Sequence, residues 1–289
     1  MSSESKTKTF LEFQFAMLLI SGNILFAKLI DESVWMITFS RTVFASAGLY
    51  LFLKWRGKPV FFTVTSENLA SLGSGVLLAI HWISFFASAR LASPAIAVLT
   101  LFTHPVITVF IEPIYFATRP KKTDLFLALL VLLGVGILIP DLKPGNDLFL
   151  GILSGLFSAF TFSFRNLITK KFLSHHGSAQ VMFIQSLTAA FFLAPVCYWD
   201  PIPTNFHSLG LMILLGTFFT AFAHTLYVKS MFQLKLKTAG ILSSIQPVYS
   251  ILLAWVILGD IPGYREITGG VLILVAGTLE TIRFKKDVP

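Results

Sequence analysis

Acidic residues are scarce in this chain and nearly absent from its apolar stretches. Of 14 Asp and Glu, Glu112 alone lies within an apolar run away from its ends, which removes the paired carboxylates that general acid and base catalysis in such a run would need. One cysteine, Cys197, excludes a disulfide framework and a Cys-based zinc site, since both need partners within the chain. No G-x-x-x-x-G-K-[ST] loop is present, so the chain does not hydrolyse ATP as a primary pump. No H-E-x-x-H helix occurs either, and the His175-His176 pair falls in a basic loop where it reads as solvated. An intramembrane enzyme would need a nucleophile with a base at helical spacing; none appears, and neither a cofactor nor a bound metal is expected.

Charge as a whole is thin. Charged residues make up 12% of the chain, against about 25% in soluble domains. Hydrophobic residues make up 55% and the mean hydropathy is +0.80. Windows of about 20 apolar residues, enough to cross roughly 30 Å of hydrocarbon, recur along all 289 residues and leave no room for a soluble domain. The spacing predicts ten spans, at Phe10–Ile30, Ser33–Leu53, Leu69–Ala89, Ala95–Phe116, Asp124–Ile139, Leu148–Thr169, Ser178–Trp199, Ser208–Phe232, Thr238–Leu258 and Glu266–Ile282. The fifth is short enough to be interfacial on length alone. The opening MSSESKTKTFLEF carries no small-residue cleavage site behind a short apolar core, so the first helix is expected to be a retained span.

Basic residues set the orientation, because cytoplasmic loops accumulate Lys and Arg. With the N-terminus inside, fifteen basic residues, among them Lys6, Lys54, Arg119, Lys170, Lys235 and Arg283, fall on the inner side, whereas only Lys28, Arg90, Lys143 and Arg265 fall outside. Both termini are therefore expected in the cytoplasm. The net charge of +8 is explained by orientation in lipid and implies no nucleic-acid partner.

The chain also repeats. Laying Ala97 on Ala239 puts Pro105 on Pro247, Val106 on Val248, Pro120 on Pro262 and Leu132 on Leu274 without a gap, so that the segments ending at Gly136 and Thr278 match. Further forward, Asn23 falls on Asn166 and Arg41 near Gln185. Two units of five helices follow, 1–143 and 144–289. Five is odd, so the second unit is expected upside down relative to the first, an arrangement that lets one site open to either side in turn.

The paired pattern of THPVITVFIEP (103–113) and IQPVYSILLAWVILGD (245–260), each followed by a Gly-rich span, resembles the EamA-type branch of the drug/metabolite transporter superfamily. The second copy is the closer match; the first has IYFATRP where the second has VILGDIPG. The resemblance covers essentially the whole chain. It implies an all-α polytopic membrane protein, a central cavity walled by the third, fourth, eighth and ninth helices with the first and sixth, and export or exchange of small metabolites such as amino acids. The superfamily also moves nucleotide sugars and other metabolites.

Polar groups at membrane depth are costly unless they pair or line a lumen. By helical rise, Asn23, Arg41, His81 and His104 lie roughly 10–14 Å below the outer boundary, and Asn166, Gln185, His224 and Gln246 roughly 5–12 Å above the inner one. These two layers, with Trp82, Phe85 and Tyr227 as an aromatic wall, form the expected substrate site. His81, Ser84 and Ser88 make a polar stripe on the third helix, and Thr220, His224 and Tyr227 make another on the eighth. Each residue also has a structural alternative. Asn23, Asn166 and Gln185 can serve as glue between helices, His104 and Gln246 can repair the backbone beside a proline, and ordinary packing accounts for any one aromatic residue among 30 Phe.

Arg41 is the sharpest signal, a permanent cation that needs a carboxylate, a carbonyl cluster or a substrate anion. Arg165 and Lys229 stand near enough to the inner face to snorkel. The expectation is a secondary transporter in a bacterial inner membrane, monomeric or homodimeric. It carries an amino acid or similar zwitterion by alternating access, with Pro105 and Pro247 as hinges. Facilitated diffusion or exchange fits better than coupling through carboxylates.

Overall fold

A computed structural model of the chain describes residues 3–60, 66–104, 106–108, 110–111, 122–138, 145–173, 175–203, 205–233, 243 and 245–286. Among these residues there is helix and no strand. α1 runs over Ser3–Ser21 and continues through a 3-10 stretch, Gly22–Leu25, into Phe26–Leu29. α2 is Val34–Trp55 and α3 Ser66–Leu91. α4 is Pro94–Leu101, with apolar helix resuming towards Thr108. α5 is Lys122–Leu138, α6 Asp147–Leu173, and α7 Ser178–Leu193 with a 3-10 end at Ala194–Tyr198. α8 is Phe206–Leu214, a π-helical stretch Leu215–Phe222, and Ala223–Gln233. α9 is Gln246–Leu258 and α10 Tyr264–Lys286. Six of these helices are long and apolar enough to cross a bilayer by length and composition, namely α1, α2, α3, α6, α7 and α8; Pro94–Thr108, Phe126–Leu138 and α9 are shorter apolar helices.

The boundaries follow local chemistry. Ser33 caps α2 by accepting from Met36 N at 3.0 Å, and Ser93 caps α4 by accepting from Ile96 N at 3.1 Å, ahead of Pro94 in the first turn where a missing N–H is harmless. α9 stops at Gly259, whose φ of 72° is the left-handed conformation that ends a helix at little steric cost for glycine. Two helix ends are closed by cations from a neighbour. Arg90 on α3 donates to Ala27 O at 2.9 Å and Ile30 O at 2.7 Å at the end of α1; Lys170 on α6 donates to Met231 O at 2.9 Å and Phe232 O at 3.2 Å near the end of α8. In both cases carbonyls left over at a helix C-terminus gain charged donors.

The packing has an exchange symmetry. α3 packs on α6 and α8 on α1; α3 packs on α7 and α8 on α2; α4 packs on α6 and α9 on α1. α2 meets α7, α4 meets α9 and α5 meets α10. Exchanging α1 to α5 with α6 to α10 carries each of these contacts onto another or onto itself. Small residues allow the closest approaches. A Cβ at Gly75 would stand 2.8 Å from Gln185 O, and one at Gly216 would stand 2.9 Å from Arg41 O and 2.5 Å from Phe44 Cβ.

Gly216→Val therefore separates α8 from α2 and is expected to destabilise the protein by about 1–3 kcal/mol. Gly210→Ala, on the same helix but with open space around its Cβ, serves as the control. Thermal unfolding of both variants in detergent, followed by far-UV circular dichroism, checks this; equal midpoints remove the close approach as a constraint.

Candidate functional site

Arg41 points from the middle of α2 into the protein and is 0% exposed. Its Nε and Nη2 donate to Thr220 Oγ1 at 3.1 and 2.9 Å, and Nη2 also reaches Asn23 Oδ1 at 3.4 Å. Thr220 can accept from both because its own hydroxyl donates to Leu215 O at 2.6 Å, five residues back in the π stretch. Asn23 lies in the 3-10 stretch of α1. The guanidinium carbon sits 3.8 Å from the centroid of the Trp82 ring and 5.3 Å from that of Phe86, a cation over aromatic faces. Nη1 has no protein partner.

Arg165 corrects the expectation that it would snorkel. It is 0% exposed, and its donors are taken up inside the protein. Nε donates to Gln185 Oε1 at 3.1 Å, Nη1 to Asn166 Oδ1 at 3.0 Å, and Nη2 to Gln185 Oε1 at 2.5 Å and Met182 Sδ at 3.1 Å. Gln185 then donates to Ser74 Oγ and Thr169 Oγ1, both at 2.9 Å, and Asn166 Nδ2 donates to Tyr227 Oη at 3.3 Å. Snorkelling fails because α6 runs on to Leu173 and turns Arg165 toward α7 rather than outward. Lys229 is 41% exposed and pairs with Glu12 at 2.6 Å.

Nine of the expected site residues line one cavity. α1 contributes Asn23 with Met17 and Ile20, α2 Arg41, and α3 His81, Trp82 and Phe85. α4 contributes His104 with Leu101 and Phe102, α6 Phe162, α8 His224 and Tyr227, and α9 Gln246. The walls are the six helices that the family resemblance implied, with Arg41 reaching in from α2. The space between these walls is narrow and constricted. Asn166 and Gln185 do not line it; they hold Arg165. Among the described residues that line it none is acidic, and Glu112 lies outside the described residues.

The three cavity histidines differ. His81 Nδ1 lies 2.7 Å from Ser158 Oγ and 3.1 Å from Ser158 O, and the ring packs 4.7 Å from Phe162, so α6 holds it. His104 stands edge-on to Phe102 at 5.5 Å and Phe162 at 5.0 Å, and its carbonyl accepts from Ser163 Oγ at 3.0 Å. His224 meets Trp82 edge-on at 5.4 Å, and neither ring nitrogen has a protein partner. The α8 stripe of Thr220, His224 and Tyr227 thus faces the site. The α3 stripe does so only at His81, since Ser88 lies against Gly155 of α6. Phe162, at the centre of the aromatic contacts, gave no signal among so many phenylalanines.

Helix irregularities lie close in sequence to both expected hinges. α4 is interrupted by a turn at Phe102 and Thr103, and α9 is preceded by a turn at Ile245, the repeat partner of Thr103. Pro247 occupies the first turn of α9; Pro105 lies outside the described residues. Among the described residues no group of three or more His, Cys, Asp or Glu is placed to hold a metal ion.

The model of the EamA-like transporter family matches residues 11–139 and again 149–279. Among curated proteins none matches the chain. A crystal structure of another protein is similar over 96% of this chain and 99% of that one, with a TM-score of 0.72 and 21% identity, and shows a common fold.

Thr220 is the acceptor on which the orientation of Arg41 depends. Thr220→Val keeps the shape, removes the acceptor and is expected to destabilise the protein by about 1–3 kcal/mol, while Thr220→Ser stays near the wild type. Chemical unfolding of the two variants in micelles distinguishes them, and a Thr220→Val protein as stable as Thr220→Ser would show the contact to be idle.

Proposed function

The chain belongs to the EamA-like transporter family, a multi-pass membrane transporter of the drug/metabolite type, and from that premise we propose that it moves a small carboxylate-bearing metabolite, the class that includes amino acids, by alternating access. The observation that carries this reading is Arg41 Nη1, an unpaired cationic donor in a cavity whose described lining residues include no acid. A planar guanidinium fork suits carboxylate oxygens, and in a dry lumen such a charged hydrogen bond discriminates more strongly than at a surface. The constricted cavity favours a small substrate over a nucleotide sugar.

The path across the membrane is read from the repeat. Ten crossings in two inverted units, 1–143 and 144–289, put both termini in the cytoplasm of a bacterial inner membrane. The exchange symmetry of the helix contacts supports this reading. Bends near Pro105 and Pro247 let α4 and α9 rock, and the process is export or exchange, with no carboxylate among the described lining residues to carry protons through the cavity.

Purified protein in liposomes is expected to give saturable flux of a labelled carboxylate. Arg41→Lys keeps the charge but loses the fork, so it is expected to slow carboxylate flux about tenfold more than flux of the matching amide. Equal losses for both forms would make Arg41 a structural residue. Pro247→Ala is expected to slow turnover while leaving substrate affinity near the wild-type value; unchanged flux removes the hinge role.

A further inference from the structure

Among the described residues, three fully buried side-chain atoms at the cavity have no partner in the protein, Arg41 Nη1 and the two ring nitrogens of His224. Arg41 is 0% exposed and His224 4%. Folded interiors leave few buried polar atoms unmatched, and an unmatched charged donor is among the costliest to leave so. The two side chains stand against one indole, Arg41 Cζ at 3.8 Å from the Trp82 centroid and the His224 ring at 5.4 Å. Thr220 and Asn23 occupy the other guanidinium nitrogens and fix its plane, so that Nη1 is the donor left over. Arg165, by contrast, has partners on all three nitrogens, and His81 is held by Ser158.

A zwitterion fits this arrangement poorly. Its carboxylate would meet Arg41, but its ammonium would lose water beside a fixed cation with no carboxylate among the described lining residues to receive it, and an unmatched buried charge is strongly disfavoured. A net anion brings no second charge. His224 supplies an N–H donor from one ring nitrogen in either neutral tautomer, so the pairing needs no ionised histidine. We infer that Arg41 and His224 together form an oxyanion subsite that selects a small organic acid of net negative charge, a carboxylate on an apolar body, over the zwitterion or amide of the same skeleton. This inference rests on the transporter reading for the passage of the ligand, but not for its binding.

The test uses 4-methyl-2-oxopentanoate, leucine and 4-methylpentanamide, which share one carbon skeleton and differ in charge. Calorimetry on the full chain in nanodiscs is expected to show the oxo acid binding at least tenfold tighter than either of the others. A smaller preference, or no binding of the oxo acid, overturns the inference without need of any variant. His224→Leu is expected to weaken the oxo acid at least tenfold and to leave the amide unchanged, while His224→Gln, which keeps a donor, restores binding to within threefold. An unchanged oxo acid affinity in His224→Leu removes His224 from the subsite. Flux of the same compounds in liposomes separates the two readings: selective binding without flux overturns transport and leaves the subsite standing, whereas leucine crossing as fast as the oxo acid leaves transport standing and overturns the subsite.

Discussion

A guanidinium cannot be taken to membrane depth without ligands, and the need to supply them to Arg41 accounts for several irregularities in the helices around it. α8 leaves regular α geometry over Leu215–Phe222, which lets the Thr220 hydroxyl donate five residues back and still accept from Arg41. π stretches of this kind recur at functional sites. α1 tightens to 3-10 geometry where Asn23 turns toward the same guanidinium. Gly216 brings α8 close enough to the α2 backbone for Thr220 to reach, since any side chain there would meet Arg41 O. The indole of Trp82 closes the remaining face. One cation thus draws on four helices.

The second guanidinium uses related parts differently. Asn166 is the repeat partner of Asn23, and Gln185 stands near the position of Arg41 in the second unit, yet there the cation comes from α6 and α7 supplies the acceptor. Both halves carry one buried positive charge. In one half it is saturated by Gln185, Asn166 and Met182; in the other one donor remains. Halves related by the repeat therefore differ in what they can hold, Arg165 joining helices and Arg41 keeping a free donor.

Six apolar spans and the repeat were legible in the sequence because both are periodic over many residues, and the polar cavity residues were legible because polar side chains are rare in apolar helices. Six residues picked out on that ground, Asn23, Arg41, His81, His104, His224 and Gln246, meet in one space with the expected aromatics Trp82, Phe85 and Tyr227. What the sequence could not convey depends on side-chain direction and backbone register. Arg165 lies near the end of its apolar run, which suggested an exit to water; its direction toward α7 is a property of how α6 and α7 pack. Phe162 sits at the centre of the ring contacts of His81, His104 and Tyr227, but thirty phenylalanines hide one. The 3-10 and π stretches carry no local sequence mark, since they arise where tertiary ligands compete with the i to i−4 ladder.

The irregularities divide into two kinds, and the division bears on mechanism. The turns at Thr103 and Ile245 are repeat partners. The 3-10 stretch of α1 and the π stretch of α8 are not, because the matching parts of α6 and α3 are regular helix. A carrier that opens to either side, as proposed for this chain, needs bends in both halves, and the paired turns at Thr103 and Ile245 would serve as such bends. A ligand without two-fold symmetry needs contacts that differ between the halves, so its grip cannot be built from paired features alone. The unpaired distortions are the ones that orient Arg41 and precede His224 on α8, so that on the proposed reading symmetry is kept where helices move and given up where the substrate is held.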